Sequence, residues 1–396
     1  MRTEPPQIVA AGHICLDMIP QLGEGPTDLH GLLVPGKLVD VGPLTTATGG
    51  SVSNTGLALH RLGFPVQLMG KVGEDVVGRA ILELLTRQDA RLADGMIVTP
   101  ESPSSYTVVI SPPGVDRIFL HCPGANDTFG PDDIEYDRLR DTCLFHFGYP
   151  PLMRRMYADE GRELAALLAR VKERGVTTSL DMARPDPASE AGRANWRAIL
   201  QRALPYVDIF LPSFDETLFM LDRPRFDELQ AHSRDGDLNA QADGVSLRGL
   251  STQLLDMGAG VVALKLGAQG LYLRTTSNTG RLENMGASAL EDPRTWAGRE
   301  LFAPCFAVDV VGTTGSGDCT IAGFLGGIVE GLTPEGALVC GVAVGACNVE
   351  QADATSGIPP WSAVQERIAR RWQRASTAVN LDTWSWDEDS GVWRSG

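Results

Sequence analysis

Short runs of almost wholly apolar or β-branched residues alternate along the chain with longer stretches whose apolar positions recur every three or four residues. "QIVAAGHICLDMI" (7–19), "VQLMGKVG" (66–73), "CLFHFG" (143–148), "VTTSLD" (176–181), "VDIFL" (207–211) and "VVALKL" (261–266) predict buried strands, because a strand covered on both faces loses its polar alternation. Between them "SNTGLALHRLG" (53–63), "DVVGRAILELLTRQ" (75–88), "DEGRELAALLARVKERG" (159–175) and "LRGLSTQLLDMG" (247–258) predict helices. The alternation implies βα units, hence an α/β fold: a mainly parallel sheet with helices on both faces. In such sheets ligands bind at the carboxyl ends of the strands.

Two stretches break the rhythm. "LLVPGKLVDVGPLTTATG" (32–49) and "SSYTVVISPPGVDRIFLHCPGAN" (104–126) read as extended segments joined by Gly and Pro turns, the second a hairpin about "PPGVD". They are expected to form a small β lid, at about residues 30–48 and 102–126, on a domain spanning residues 1–376. Polar stretches at 232–244 and 278–300 read as surface loops, and a basic helix is expected at 362–374. The last segment, 377–396, is expected as a C-terminal tail whose three Trp residues dock on this protein or on a partner.

The chain has 396 residues and a formal net charge of -16, which argues against a nucleic-acid or anionic-membrane surface. An anionic ligand must then be held locally, by backbone N–H groups or a metal. Seven cysteines without CxxC spacing indicate neither a disulfide framework nor a zinc site. A reduced, cytoplasmic setting is expected, with no signal segment and no membrane span.

The stretch "DVVGTTGSGDCTIAGFLGGIVEGL" (309–332) places Gly315, Ser316, Gly317 and Asp318 before an apolar helix. Glycines let the backbone turn and approach a ligand, and the first N–H groups of a helix have no internal acceptor. The result is an anion site with a carboxylate beside it, as phosphoryl transfer to a hydroxyl needs. Taken alone, the same residues also fit an Asp that caps a tightly packed helix.

Four segments in order decide between these readings. "GGSVSNTGLALHRLG" (49–63) and "VGTTGSGDCTIAGF" (311–324) together resemble the two signatures of the ribokinase-like, or PfkB, carbohydrate kinase family, GGxxxNxAxxxxxLG and DTxGAGDxFxxG. "GKVGEDVVGRAILELL" (70–85) is similar to its GxDxxG helix entry, and "VVALKLGAQGLYL" (261–273) to its nucleotide-side strand and turn. The resemblance spans roughly residues 8–360 and implies a ribokinase-like fold with a β lid. No GxxxxGK[ST] occurs, and no GxGxxG follows the first strand, so a P-loop and a dinucleotide fold are excluded.

The resemblance implies an ATP-dependent kinase for a sugar or sugar-like acceptor. Asp318 would be the general base, and Gly315, Ser316 and Gly317 would stabilise charge on the moving phosphoryl group. Asp17 would accept hydrogen bonds from sugar hydroxyls; Gly49, Gly50 and Asn54 would line that pocket; Arg117 and Asn126 would reach it from the lid. Glu216 would orient magnesium. Lys265, Gly267 and Gly270 would meet the nucleotide near its ribose and phosphates, with Asn348 on the base side. Relatives pair through such lids, so a homodimer is implied.

Two departures accompany the match. Ser213 stands where NxxE has Asn, leaving a hydroxyl that can still hold one water. Gly312 replaces the Asp that opens DTxGAGD, while Asp353 appears in a loop that in the family often holds a monovalent cation. Either Asp353 replaces the missing charge, or it pairs with a Lys or Arg and no potassium is needed. The histidines define no site. Alternatives are a nucleoside kinase, with Tyr106 or Phe119 stacking on a base, and a sensor that binds sugar or nucleotide without turnover.

Overall fold

The computed structural model describes residues 7–22, 34–111, 118–233, 237–288, 290 and 292–395. Its strands in chain order are β1 (Gln7–Gly12), β2 (Cys15–Pro20), β3 (Leu44–Gly49), β4 (Val66–Met69), β5 (Lys71–Gly73), β6 (Ile97–Thr99), β7 (Tyr106–Ile110) and β8 (Ile118–Cys122). They continue with β9 (Thr142–Gly148), β10 (Thr177–Leu180), β11 (Ile209–Phe210), β12 (Val261–Lys265), β13 (Leu271–Thr275), β14 (Glu300–Ala303), β15 (Trp384–Asp387) and β16 (Val392–Ser395).

The central sheet has ten strands in the order β15-β16-β14-β13-β12-β11-β10-β9-β1-β4. Pairing is parallel from β4 to β12 and antiparallel from β12 to β15. The apolar runs are explained by burial on both faces. Along β9, Phe145 and Phe147 enter one core and Leu144 the other; along β12, Val262 and Leu264 oppose Val261 and Ala263 in the same way. The fold is α/β with helices on both faces, as the alternation implies.

The segment 7–19 divides where a single strand was expected. β1 belongs to the central sheet and β2 to a separate four-stranded sheet, β3-β2-β7-β8, with His13 and Ile14 as the link. Gly12 has φ 122°, and a Cβ there would lie 2.4 Å from the Gly148 carbonyl oxygen, so this bend requires glycine. Asn126 fastens it: its Nδ2 donates to the Ile14 oxygen at 2.9 Å, and its Oδ1 accepts from the Ile14 N–H at 3.2 Å. The small sheet draws its other strands from the two stretches expected to be extended, with β2 as an added member; the turn residues 112–116 lie outside the described residues.

The helix Ser316–Val329 is almost wholly buried against the helix Pro334–Val349. The two backbones approach closely because a Cβ on Gly323 would come 2.5 Å from the Cys340 carbonyl oxygen. The segment 384–395 adds β15 and β16 to the sheet, burying Trp384 against Tyr272. The region 278–300, read as a loop, contains helical turns at Thr279–Glu283 and Pro293–Trp296, and Trp296 anchors it in the core. Too few residues separate its polar positions to show a period.

Asn126→Ala removes both hydrogen bonds to a buried backbone and should destabilise the protein by about 2 kcal/mol, read as a lower urea midpoint at constant slope. An unchanged midpoint would mean that the bend is held by Gly12 and the sheets alone.

Candidate active site

Parallel strands ending in register place successive residues on one edge of the sheet. His13 follows β1, Tyr149 follows β9, Asp181 follows β10, and Lys265 ends β12. The helix Ser316–Val329 points its amino end at the same edge, and β2, β7 and β8 of the four-stranded sheet face it. Between them is a cleft of about 800 Å³ lined by Asp17, Gly50, Asn54, Tyr149, Gly315 and Asp318, among others.

Asp318 is buried, 3% exposed. Its Oδ2 accepts from Asn54 Nδ2 at 3.0 Å and its Oδ1 from Thr55 Oγ1 at 3.4 Å. The Tyr149 hydroxyl lies 2.9 Å from both oxygens. Burial raises the Asp318 pKa above the usual carboxylate range, although Lys265 and these donors oppose it. Tyr149 itself is pushed well above the usual phenol value, by burial first and then by Asp318, so it keeps its proton and donates.

Gly315 opens the helix in the left-handed region, at φ 71° and ψ 4°. Its Cβ would meet Ala354 at 2.9 Å, so the turn and the neighbouring loop both demand glycine. The Ser316 N–H already donates to the Thr313 oxygen at 3.3 Å. Of the expected residues, Ser316 therefore has its N–H taken, while Gly317 and Asp318 lie in the first turn of the helix. Gly317 lies against the Lys265 side chain, with its Cβ position 3.6 Å from Cδ.

Lys265 pairs with buried Asp181 at 2.5 Å. Burial alone would lower the lysine pKa, but Asp181, Glu216 and Asp318 together raise it. Asp181 was not expected from the sequence; burial pushes its pKa up, Lys265 opposes this, and its Oδ2 is buried without a partner. Half-buried Glu216 is raised to about 8 by burial, with Asp181 and Asp215 adding to the effect against Lys265. Glu216 Oε2 also accepts the Ser213 N–H at 2.6 Å, closing a capping box. The Ser213 hydroxyl donates to Asp215 at 2.6 Å and accepts the Glu216 N–H, so its proton is not left for a water as expected.

Other expected residues fall in two groups. Asp17 lines the cleft beside Gly49, whose Cβ would lie 2.3 Å from its carboxylate; Gly50, at φ 87°, would press on His13. Gly267 and Gly270 form the turn after Lys265, at φ 54° and 133°. Asn126 is not at the cleft, its amide being consumed by Ile14. Asn348 is fully buried and donates to the Ala354 oxygen at 2.7 Å, so it holds a loop and does not face a base. Arg117 lies outside the described residues.

The cation-loop expectation changes most. Asp353 Oδ1 accepts the N–H groups of Thr355 and Ser356, at 2.9 and 2.7 Å. Burial acts to raise its pKa, but the bonds from Ser356 and Thr355 more than offset this and lower it. Among the described residues it forms no ion pair with Lys or Arg. Gly312 has a steric reason: a Cβ there would lie 2.9 Å from the Ala352 backbone. His13 and His121, assigned no role from sequence, meet across the cleft with 3.3 Å between Nε2 atoms. Their separation of 108 residues explains why no spacing showed it.

The fold is α/β, with a buried carboxylate at a helix start that lines a cleft at the sheet edge. The model of the pfkB family carbohydrate kinases matches residues 8–361, and the chain belongs to that family. It is a carbohydrate kinase. It is 25% identical over 303 residues to a sugar kinase of Archaeoglobus fulgidus, covering 76% of this chain and 98% of that one. It is likewise 25% identical over 332 residues to the 2-dehydro-3-deoxygluconokinase of Bacillus subtilis, covering 82% and 87%. The fold is similar to that of a fructokinase from Xylella fastidiosa solved with bound ATP, at TM-score 0.67 and 19% identity, covering 92% of this chain and 98% of that one.

Glu216 binds its proton more tightly folded than unfolded, so stability falls as pH rises between its ordinary value of 4.5 and about 8. Glu216→Gln keeps a cap acceptor and should flatten the melting-temperature fall between pH 7 and 8, where Asp181, raised to about 6, has largely titrated. An equally steep fall in the variant would assign it to another group.

Proposed function

We propose that the protein moves the γ-phosphate of ATP to a hydroxyl of a sugar or sugar-like acceptor held between Asp17 and Asp318. The supporting observation is that Asp318 sits in the first turn of a buried helix and lines the same cleft as Asp17 and Asn54. The acceptor hydroxyl gives its proton to Asp318, its oxygen bonds to the γ-phosphorus, and the bond from that phosphorus to ADP breaks. A raised pKa makes Asp318 a stronger base than an ordinary carboxylate. The N–H groups of Gly317 and Asp318, with the Lys265 ammonium, receive the phosphate charge.

The nucleotide would lie along the Lys265–Gly270 turn; the fold shared with an ATP-bound fructokinase supports this. Magnesium fits the carboxylates next to Lys265: Asp181 has a buried, unpartnered oxygen and Glu216 adds a second group. Bound there with its waters, the ion would neutralise phosphate charge. Exposed Leu44, Phe119 and Leu120 on the lid favour a homodimer through that sheet. The kinase unit includes the lid and the tail strands that complete the sheet.

Asp318→Asn should lower turnover by about 10³-fold with the melting curve unchanged. ADP release with magnesium-ATP and a panel of sugars, sugar acids and nucleosides reads this. Turnover of nucleosides alone would favour the nucleoside reading, and binding without turnover the sensor.

Because the Asp353 carboxylate is occupied by its own loop, activity should be equal in potassium and in a large organic cation. Strong activation by potassium that persists in Asp353→Gly would place a cation elsewhere in this loop.

A further inference from the structure

The carboxylate of Asp318 already has a donor in the place where an acceptor hydroxyl would have to bind. A carboxylate offers about four lone-pair directions. Here Oδ1 takes Thr55, Oδ2 takes Asn54, and the single phenol proton of Tyr149 is shared between the two, so three donors cover both oxygens. Thr55 and Asn54 are buried within the helix Ser51–Leu62 and cannot leave without moving it. Tyr149 is different. It belongs to the loop after β9, is only partly buried, and lines the cleft together with Asp318. It also has a left-handed backbone, φ 64° and ψ 43°, which costs a non-glycine residue roughly 1 kcal/mol and is common at functional sites.

We infer that Tyr149 is a positioning residue that closes Asp318 to water until an acceptor hydroxyl displaces its phenol. The inference rests on the reading of Asp318 as the base. With ATP bound and no acceptor, a water in the cleft finds both carboxylate oxygens occupied and cannot pass on its proton. An acceptor anchored at Asp17 brings a hydroxyl that replaces the phenol, and only then does the base accept a proton. The phenol thus suppresses wasteful hydrolysis, in which water oxygen would bond to the γ-phosphorus, the bond to ADP would break and the water proton would pass to Asp318. Because the phenol also stabilises the charged carboxylate, its loss raises the Asp318 pKa further.

The test uses the full-length protein and magnesium-ATP without any acceptor. Tyr149→Phe removes one oxygen and should raise ADP release roughly tenfold, the weight of one hydrogen bond to a charged group. The acid limb of that activity should lie at higher pH than for the residual hydrolysis of the parent protein. The gain should disappear in Tyr149→Phe/Asp318→Asn. Tyr149→Leu, which also lacks the hydroxyl, should show the same gain; a purely structural role for the ring would instead separate the two variants. Unchanged hydrolysis in both single variants, with Asp318→Asn still abolishing sugar phosphorylation, overturns the guard role and leaves the base in place. Undiminished phosphorylation in Asp318→Asn, or a gain that persists in the double variant, overturns the base and with it this inference.

Discussion

The shared direction of β1, β9, β10 and β12 is the constraint on which the site depends. Parallel hydrogen bonding fixes their register, so the residues following each strand emerge at one edge of the sheet whatever their separation in sequence. That edge collects His13, Tyr149, Asp181 and Lys265. The buried helix beginning at Gly315 brings Asp318 to the same place, with its position fixed by close packing against its neighbouring helix.

Such convergence puts three acidic groups, Asp181, Glu216 and Asp318, around one lysine in a chain that is strongly acidic overall. The electrostatic cost is met by distributing it: Asp181 and Glu216 are pushed toward their neutral forms, while Lys265 holds its proton more firmly. On the proposed reading, a polyanionic substrate bound with a divalent cation would change that balance.

The four-stranded sheet continues the same logic. One glycine at position 12 turns the first strand out of the central sheet, and a single asparagine amide secures the turn, so Asp17 is carried over the cleft by the chain that forms its floor. The departures from the family pattern also acquire physical causes. Gly312 leaves room for the 352 backbone, and Asp353 stabilises its own turn.

Residues close in sequence determined much of this protein by themselves. The alternation of apolar runs and helical periods gave the α/β class, and the Gly315–Asp318 stretch marked the start of a buried helix, because backbone freedom and helix-start chemistry are local properties. Local pattern could not show that Asn126 and Asn348 spend their amides on backbone carbonyls, since an asparagine that binds a ligand and one that binds a loop have the same neighbours. Nor could it reveal Tyr149, 169 residues from Asp318, or the Asp181–Lys265 pair, 84 residues apart. Those partners are chosen only when the strands align, because sheet register sets which distant side chains share a dry pocket, and burial there sets their charges.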